Sequence, residues 1–252
     1  MLGKYKITNE VDKDKTAGDS NRENNKKSIS ITSTVPAKDK SLYMQLLTLS
    51  HCSYFDRDVN DLLHATGYSN WTQVKKGYGT SGFEYLICKN QHTDEYAILF
   101  TGSDEPLDYL IDVVEVGLDI VKSQRKQAEA VIKDFAKDPE TKNAKFYIAG
   151  HSLGGYLAQW TAGNISLNKL EGVKSSNFIK CYTFNAPGVN TTELEIFTEI
   201  LKGDMSKITN FVIDTDLVKE AHYYCHVGKV VTFPIDKRFA HSIKYFYAYN
   251  YN

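Results

Sequence analysis

The sequence predicts an α/β fold: a mostly parallel central sheet with helices on both faces. Three observations lead there. From residue 95 onward, short apolar runs alternate with longer stretches of helical periodicity. The run Tyr96-Ala97-Ile98-Leu99-Phe100 is apolar throughout, as a strand covered on both faces must be. The run Lys145 to Ala149 then leads through Gly150-His151-Ser152-Leu153-Gly154-Gly155 into a helix starting at Tyr156. That passage reads as a strand, a turn too sharp for side chains on either side of the serine, and a helix.

In chain order, residues 1–40 come first and are dominated by Lys, Asp, Asn, Glu and Ser. They cannot bury enough surface to offset their ordering entropy and are expected to form a disordered polar tail. Residues 41–252 are expected to form a single domain. Leu42, Met44, Leu46, Leu47 and Leu49 suggest a helix, with Tyr54 and Phe55 packing just after it. Trp71–Val74, Phe83–Lys89 and Glu95–Phe100 read as strands between Gly- and Asn-containing turns. A helical region spans Leu107 to about Lys137. After the serine turn and its helix come a strand at Phe178–Phe184, a helix over Thr192–Leu201 and strands at Ile208–Ile213 and Lys229–Phe233. An aromatic-rich segment closes the chain, and no internal repeat is apparent.

At 252 residues the chain suits one sizeable core. A formal net charge of −1 lacks the clustered basic excess of a nucleic-acid surface, so no nucleic-acid partner is expected. Cys52, Cys88, Cys181 and Cys225 are widely spaced, which favours free buried thiols over a metal site. Residues 1–40 hold no apolar run of signal-peptide length, and nothing approaches a membrane span of about 18 apolar residues. The expectation is a soluble chain, either cytoplasmic or exported without a cleaved signal.

The Gly-x-Ser-x-Gly pattern carries the chemistry. A serine hydroxyl is a poor nucleophile at neutral pH and needs an imidazole to take its proton, with an acid to orient that imidazole. Beyond Ser152 the chain offers Asp214 and Asp216 at the end of an expected strand, followed by His222, His226 and His241. The acids fall where ligands meet a parallel sheet.

Five blocks, in order across residues 95–246, resemble the class 3 lipases of the α/β-hydrolase superfamily, in particular bacterial members with a short lid region. Leu99-Phe100-Thr101-Gly102-Ser103, with Asp108-Tyr109-Leu110-Ile111-Asp112 behind it, is similar to the family's F-R-G-[ST] block and its downstream D-W-x-x-D. Ile148 to Gly155 resembles the nucleophile block, and Thr183 to Val189 the F-x-x-P-x-V strand end. Asp216-Leu217-Val218 resembles the acid block, and His241-Ser242 the histidine block. The resemblance implies Ser152 as nucleophile, Asp216 as orienting acid and His241 as general base. It also implies an oxyanion hole from the backbone amides of Leu153 and Ser103, with no metal and no cofactor. Two positions depart from the pattern: Thr101 stands where the family usually carries arginine, and Lys219 where it often carries proline.

Each role has a rival. Asp214 lies two residues from Asp216, and His226 is a second base candidate, although it precedes the last strand. His151 is read as packing beside the turn. His51, His64 and His92 are read as solvated or capping, and Ser103 also suits a helix N-terminus. Within Leu107 to Lys122, Asp108, Asp112, Glu115, Asp119 and Lys122 form one narrow polar stripe on an otherwise apolar helix. Such a helix is equally a core helix or, through Leu107, Leu110, Ile111 and Val114, a lid or acyl-cleft border.

The activity implied is hydrolysis of carboxylic esters of lipids through an acyl-serine intermediate, with triacylglycerol, phospholipid and smaller esters all open. The partners expected are a lipid or acyl-ester substrate and a transient lipid-interface contact. A non-catalytic lipid- or protein-binding relative, or a thioesterase or peptidase on the same scaffold, are the alternatives.

Overall fold

The computed structural model describes residues 41–103, 118–190, 204–216, 224–234 and 241–249, together with the backbone of 5–10 and 26–31. Near the N-terminus, β1 (Tyr5–Glu10) and β2 (Lys26–Ile31) pair antiparallel as a separate two-stranded sheet, inside the stretch expected to be a tail. Then follow α1 (Leu42–Cys52), α2 (Asn60–Ala65), β3 (Trp71–Tyr78), β4 (Glu84–Asn90), β5 (Tyr96–Phe100) and α3 (Leu118–Lys137). β6 (Phe146–His151), α4 (Leu153–Ser166), β7 (Phe178–Phe184) and β8 (Val189–Asn190) come next. β9 (Ile208–Ile213), β10 (Tyr224–Cys225), β11 (Lys229–Phe233) and a 3₁₀ helix (Ile243–Ala248) complete the described elements.

The main sheet has seven strands in the order β11-β9-β7-β6-β5-β4-β3. The pairs from β11 to β5 are parallel, and β4 and β3 add antiparallel on one side. This is the architecture the sequence predicts. From β5 to β6 and from β6 to β7 the parallel pairing follows from the helical crossovers α3 and α4, which return each strand to the same end of the sheet. Register sets Phe100 beside Gly150, His151 beside Phe184 and Phe184 beside Phe211, so four strands end at nearly one level.

Alternation along the strands builds two cores. On one face, Tyr96, Ile98 and Phe100 of β5 join Ile148 of β6 beneath α3 and α4, where Ala128, Ile132, Leu157 and Ala158 are buried. On the other, Ala97, Leu99, Ala149, Tyr182 and Phe211 pack against α1 and the 3₁₀ helix through Tyr43, Leu46, Ile243 and Phe246. Ser41 starts α1, its Oγ accepting from the Met44 amide at 3.4 Å.

The structure extends or corrects the sequence reading in a few places. The strand expected at Trp71–Val74 runs on to Tyr78, because its ladder with β4 resumes after a bulge between Gln73 and Lys75. The bulge breaks the period-2 pattern and leaves Val74 exposed, which hid the second half of the strand. Cys52, Cys88 and Cys181 are free and buried as expected, but Cys225 is exposed because it sits in the short β10 beside the sheet. The helix expected over Thr192–Leu201 lies outside the described residues, as does the 107–117 part of the expected helical region. Among the described residues no helix is long and apolar enough to cross a membrane.

Candidate active site

The turn between β6 and α4 places Ser152 at the rim of the sheet. Its backbone adopts φ 58° and ψ −130°, a region that a side chain-bearing residue occupies only when its surroundings impose it. The surroundings are close: a Cβ on Gly154 would collide with the Phe100 carbonyl of β5. A Cβ on Gly150 would collide with the Gly154 backbone, so the turn closes on itself only if both are glycine. Ser152 is buried, its amide donating to the Phe184 carbonyl at 3.0 Å.

His241 approaches from the far end of the chain. Its Nε2 lies 2.8 Å from Ser152 Oγ, and its Nδ1 lies 2.9 and 3.2 Å from the two carboxylate oxygens of Asp216. A carboxylate only accepts, so Nδ1 carries the proton and Nε2 is free to accept from the serine hydroxyl. Asp216 is 2 % exposed and its amide donates to the Ile213 carbonyl at 3.0 Å, a tight turn that folds the carboxylate back over the sheet edge. Asp214 is exposed. The two acids therefore part company because the chain turns between them and does not stay extended. His226 is largely buried, which pushes its imidazole down to about 4, and its Nδ1 has no hydrogen-bond partner among the described residues.

Leu153 is the first residue of α4, so its amide belongs to the first turn, where helix amides have no intrahelical acceptor. Ser103, half-buried, follows Gly102, and a Cβ on Gly102 would lie 3.1 Å from the Ser152 Cβ. The two residues named from the sequence thus follow the ends of adjacent strands, Leu153 after β6 and Ser103 after β5. Leu107, Leu110, Ile111 and Val114, the expected lid or cleft residues, lie outside the described residues, as does Lys219.

Of the side chains around this group, the sequence reads Tyr54 and His151 as packing and gives Asn185 no role beyond its block. His151 Nε2 donates to the carbonyl of His241 at 2.7 Å, and Tyr54 Oη sits 2.8 Å from His151 Nδ1. Burial, then the neighbouring His241, hold the His151 imidazole well below the ordinary histidine range, so it is neutral. Asn185, in a left-handed conformation with φ 44°, donates to the same His241 carbonyl at 3.2 Å and accepts the Ile213 amide at 2.9 Å. His151 and Asn185 carry one signal in the sequence, their position within the matched blocks, and Tyr54 carries none. Thr101, the departure from the family arginine, donates to the Ser53 carbonyl at 3.1 Å. Lys76 of β3 also donates to that carbonyl, and pairs with Glu84 at 3.2 Å. The loop carrying Tyr54 is therefore tied down without an arginine.

The family model for lipase (class 3) matches residues 90–224, more than half of the chain. The chain belongs to the class 3 lipases. Membership makes it an ester-hydrolysing enzyme, a carboxylic ester hydrolase. Among solved structures this lipase is similar to the triacylglyceride lipase of Rhizomucor miehei, with 18% identity and a TM-score of 0.55, covering 75% of this chain and 78% of that one. It is also similar to a fungal lipase–inhibitor complex from which a model for interfacial activation was drawn, with 20% identity, a TM-score of 0.54, and 75% and 77% of the chains covered. The Lip2 lipase of Yarrowia lipolytica matches with 13% identity and a TM-score of 0.52 over 75% and 76%. At these identities the likenesses show the α/β-hydrolase fold. No curated protein matches in sequence.

Proposed function

We propose that this lipase cleaves lipid carboxylic esters with Ser152 as nucleophile, His241 as general base and acid, and Asp216 as the orienting carboxylate. One observation carries the reading: a single imidazole bridges the elbow hydroxyl at 2.8 Å and a buried carboxylate at 2.9 Å. As Ser152 Oγ attacks the ester carbonyl carbon, its proton passes to His241 Nε2 and Asp216 stabilises the imidazolium. The carbonyl oxygen becomes an oxyanion, met by the amides of Leu153 and Ser103; one such donor is worth about 10²–10³ in rate. The tetrahedral intermediate collapses as Nε2 returns the proton to the departing alcohol. Water, activated by the same nitrogen, then releases the acid from Ser152.

The apolar face of residues 107–122, Leu107, Leu110, Ile111 and Val114 included, is proposed to border the acyl chain or to cover the site. A transient contact with lipid interfaces accords with the family and with the interfacial activation described for the fungal relative. Residues 41–252 are proposed to be the catalytic domain, with 1–40 dispensable for chemistry.

An organophosphonate probe tests the nucleophile: wild-type enzyme should be labelled at Ser152 and Ser152→Ala should not. Labelling of both would overturn the assignment, and failure to label either would favour a binding protein on this fold. A chain-length series of p-nitrophenyl esters, run beside triglyceride and phospholipid, then defines the substrate.

A further inference from the structure

We propose that Tyr54 and His151 form a positioning relay that holds His241 by its own carbonyl oxygen, locking the base loop to the nucleophile elbow. The inference rests on the assignment of Ser152, Asp216 and His241 given above.

An imidazole that must hold contacts of 2.8 and 2.9 Å on opposite edges needs its Cα fixed, because a shift of the backbone displaces both nitrogens together. The grip on that backbone is visible. The His241 carbonyl has two lone pairs, and both are used, by His151 Nε2 at 2.7 Å and by Asn185 Nδ2 at 3.2 Å. His151 adjoins Ser152 in the chain, so the nucleophile and the clamp on its base share one peptide unit. Asn185 adds the third member, since its Oδ1 accepts the Ile213 amide at 2.9 Å, three residues before Asp216.

The grip works in only one tautomer. To donate from Nε2, a neutral His151 must leave Nδ1 as an acceptor, and Tyr54 Oη is placed 2.8 Å from it to donate there. In the other tautomer Nε2 would face the His241 carbonyl as acceptor to acceptor. The two rings lie 5.0 Å apart, so a neutral His151 also spares the imidazolium that forms on His241 from a like charge. Tyr54 is itself set by its loop, where Lys76 and Thr101 hold the Ser53 carbonyl.

Two replacements separate the relay from packing. The amide nitrogen of His151→Gln reaches where Nε2 was, whereas that of His151→Asn reaches only the Nδ1 position. On a p-nitrophenyl ester, His151→Asn should lower kcat about 10- to 100-fold with KM within about twofold. The rate of organophosphonate labelling should fall by the same factor. His151→Gln should recover to within about threefold of wild type, and Tyr54→Phe should lose about 3- to 10-fold in kcat. Equal kcat for the Asn and Gln variants, or a loss confined to KM or to the melting point, would overturn the relay. If His151→Asn does not fold, Tyr54→Phe carries the test, and an unchanged kcat there overturns the relay. Ser152→Ala run alongside keeps the two questions apart: if it is inactive while the relay variants match wild type, the relay alone is wrong. An active Ser152→Ala would remove the assignment on which the relay depends.

Discussion

Gly150 to Gly155 are arranged mainly by one another and by the strand ends they touch, whereas residues 241–249 are held by partners far away in the chain. Tyr43, on α1, donates to the Phe246 carbonyl at 2.9 Å across 203 positions. Phe246 packs edge-on against Phe184, and Phe233 stacks on Tyr249 with centroids 4.2 Å apart. The elbow is thus a local device and the base loop a tertiary one. A serine on a rigid elbow and a histidine on a distant segment meet only if something couples them, and the hydrogen bonds to the His241 carbonyl are the coupling proposed.

Breaking the distant side should cost most. His241→Ala is expected to lower kcat by about 10⁵–10⁶, leaving the contribution of binding and oxyanion donors, while His226→Ala stays within about threefold. Asp216→Asn should lose about 10³–10⁴, with Asp214→Asn close to wild type, because only the buried acid faces Nδ1. If steady-state kinetics reversed either pair, the comparison would be drawn around the wrong residues.

Breaking the local side should act on folding. Gly154→Ala introduces a Cβ against the Phe100 carbonyl, backbone against backbone, and is expected to cost about 1–3 kcal/mol or prevent folding. Denaturant melts would check it, and an unchanged midpoint would show that the elbow has slack.

A smaller effect sharpens the comparison through pH. Burial lowers His51 and His226 from the ordinary 6.5 to about 4. Both are neutral when folded and take up protons when unfolded, so the stability they contribute is present above 6.5 and is lost as pH falls towards about 4. Each should remove about 1.4 kcal/mol per pH unit within that window. Chemical denaturation between pH 7 and 4.5 should show this slope, and His226→Gln should flatten it. The smallest effect expected is from removing residues 1–38, which should leave kcat/KM within about twofold; a large loss would show that the β1–β2 pair belongs to the catalytic fold.

Much of this was legible beforehand, for identifiable reasons. The bounds of β5, β7 and β9 are legible to within one residue because central strands are apolar on both faces and cannot be mistaken for surface. β3 was cut short because an edge strand exposes one side and its bulge erases the alternation. The 3₁₀ helix reads only as an aromatic segment, since Phe246 answers to Tyr43, Phe184 and Phe233 and not to a period of its own. Ser152, Asp216 and His241 were named from motif blocks. His151 and Tyr54 read as packing and Asn185 has no role of its own there, since a hydrogen bond to a carbonyl 56 or 90 residues away leaves no mark on local composition.

By itself the sequence determined the alternation of strand and helix, the glycine turn that raises Ser152, and the order along the chain of the proposed nucleophile, acid and base. Only the tertiary structure decided which aspartate is turned inward, which imidazole reaches the serine, and what holds that imidazole in place. Backbone sterics and burial periodicity act over a few residues and are written in neighbouring letters. The meeting of residues 54, 151, 185, 216 and 241 depends on strand register and crossover geometry, which exist only once the sheet has formed.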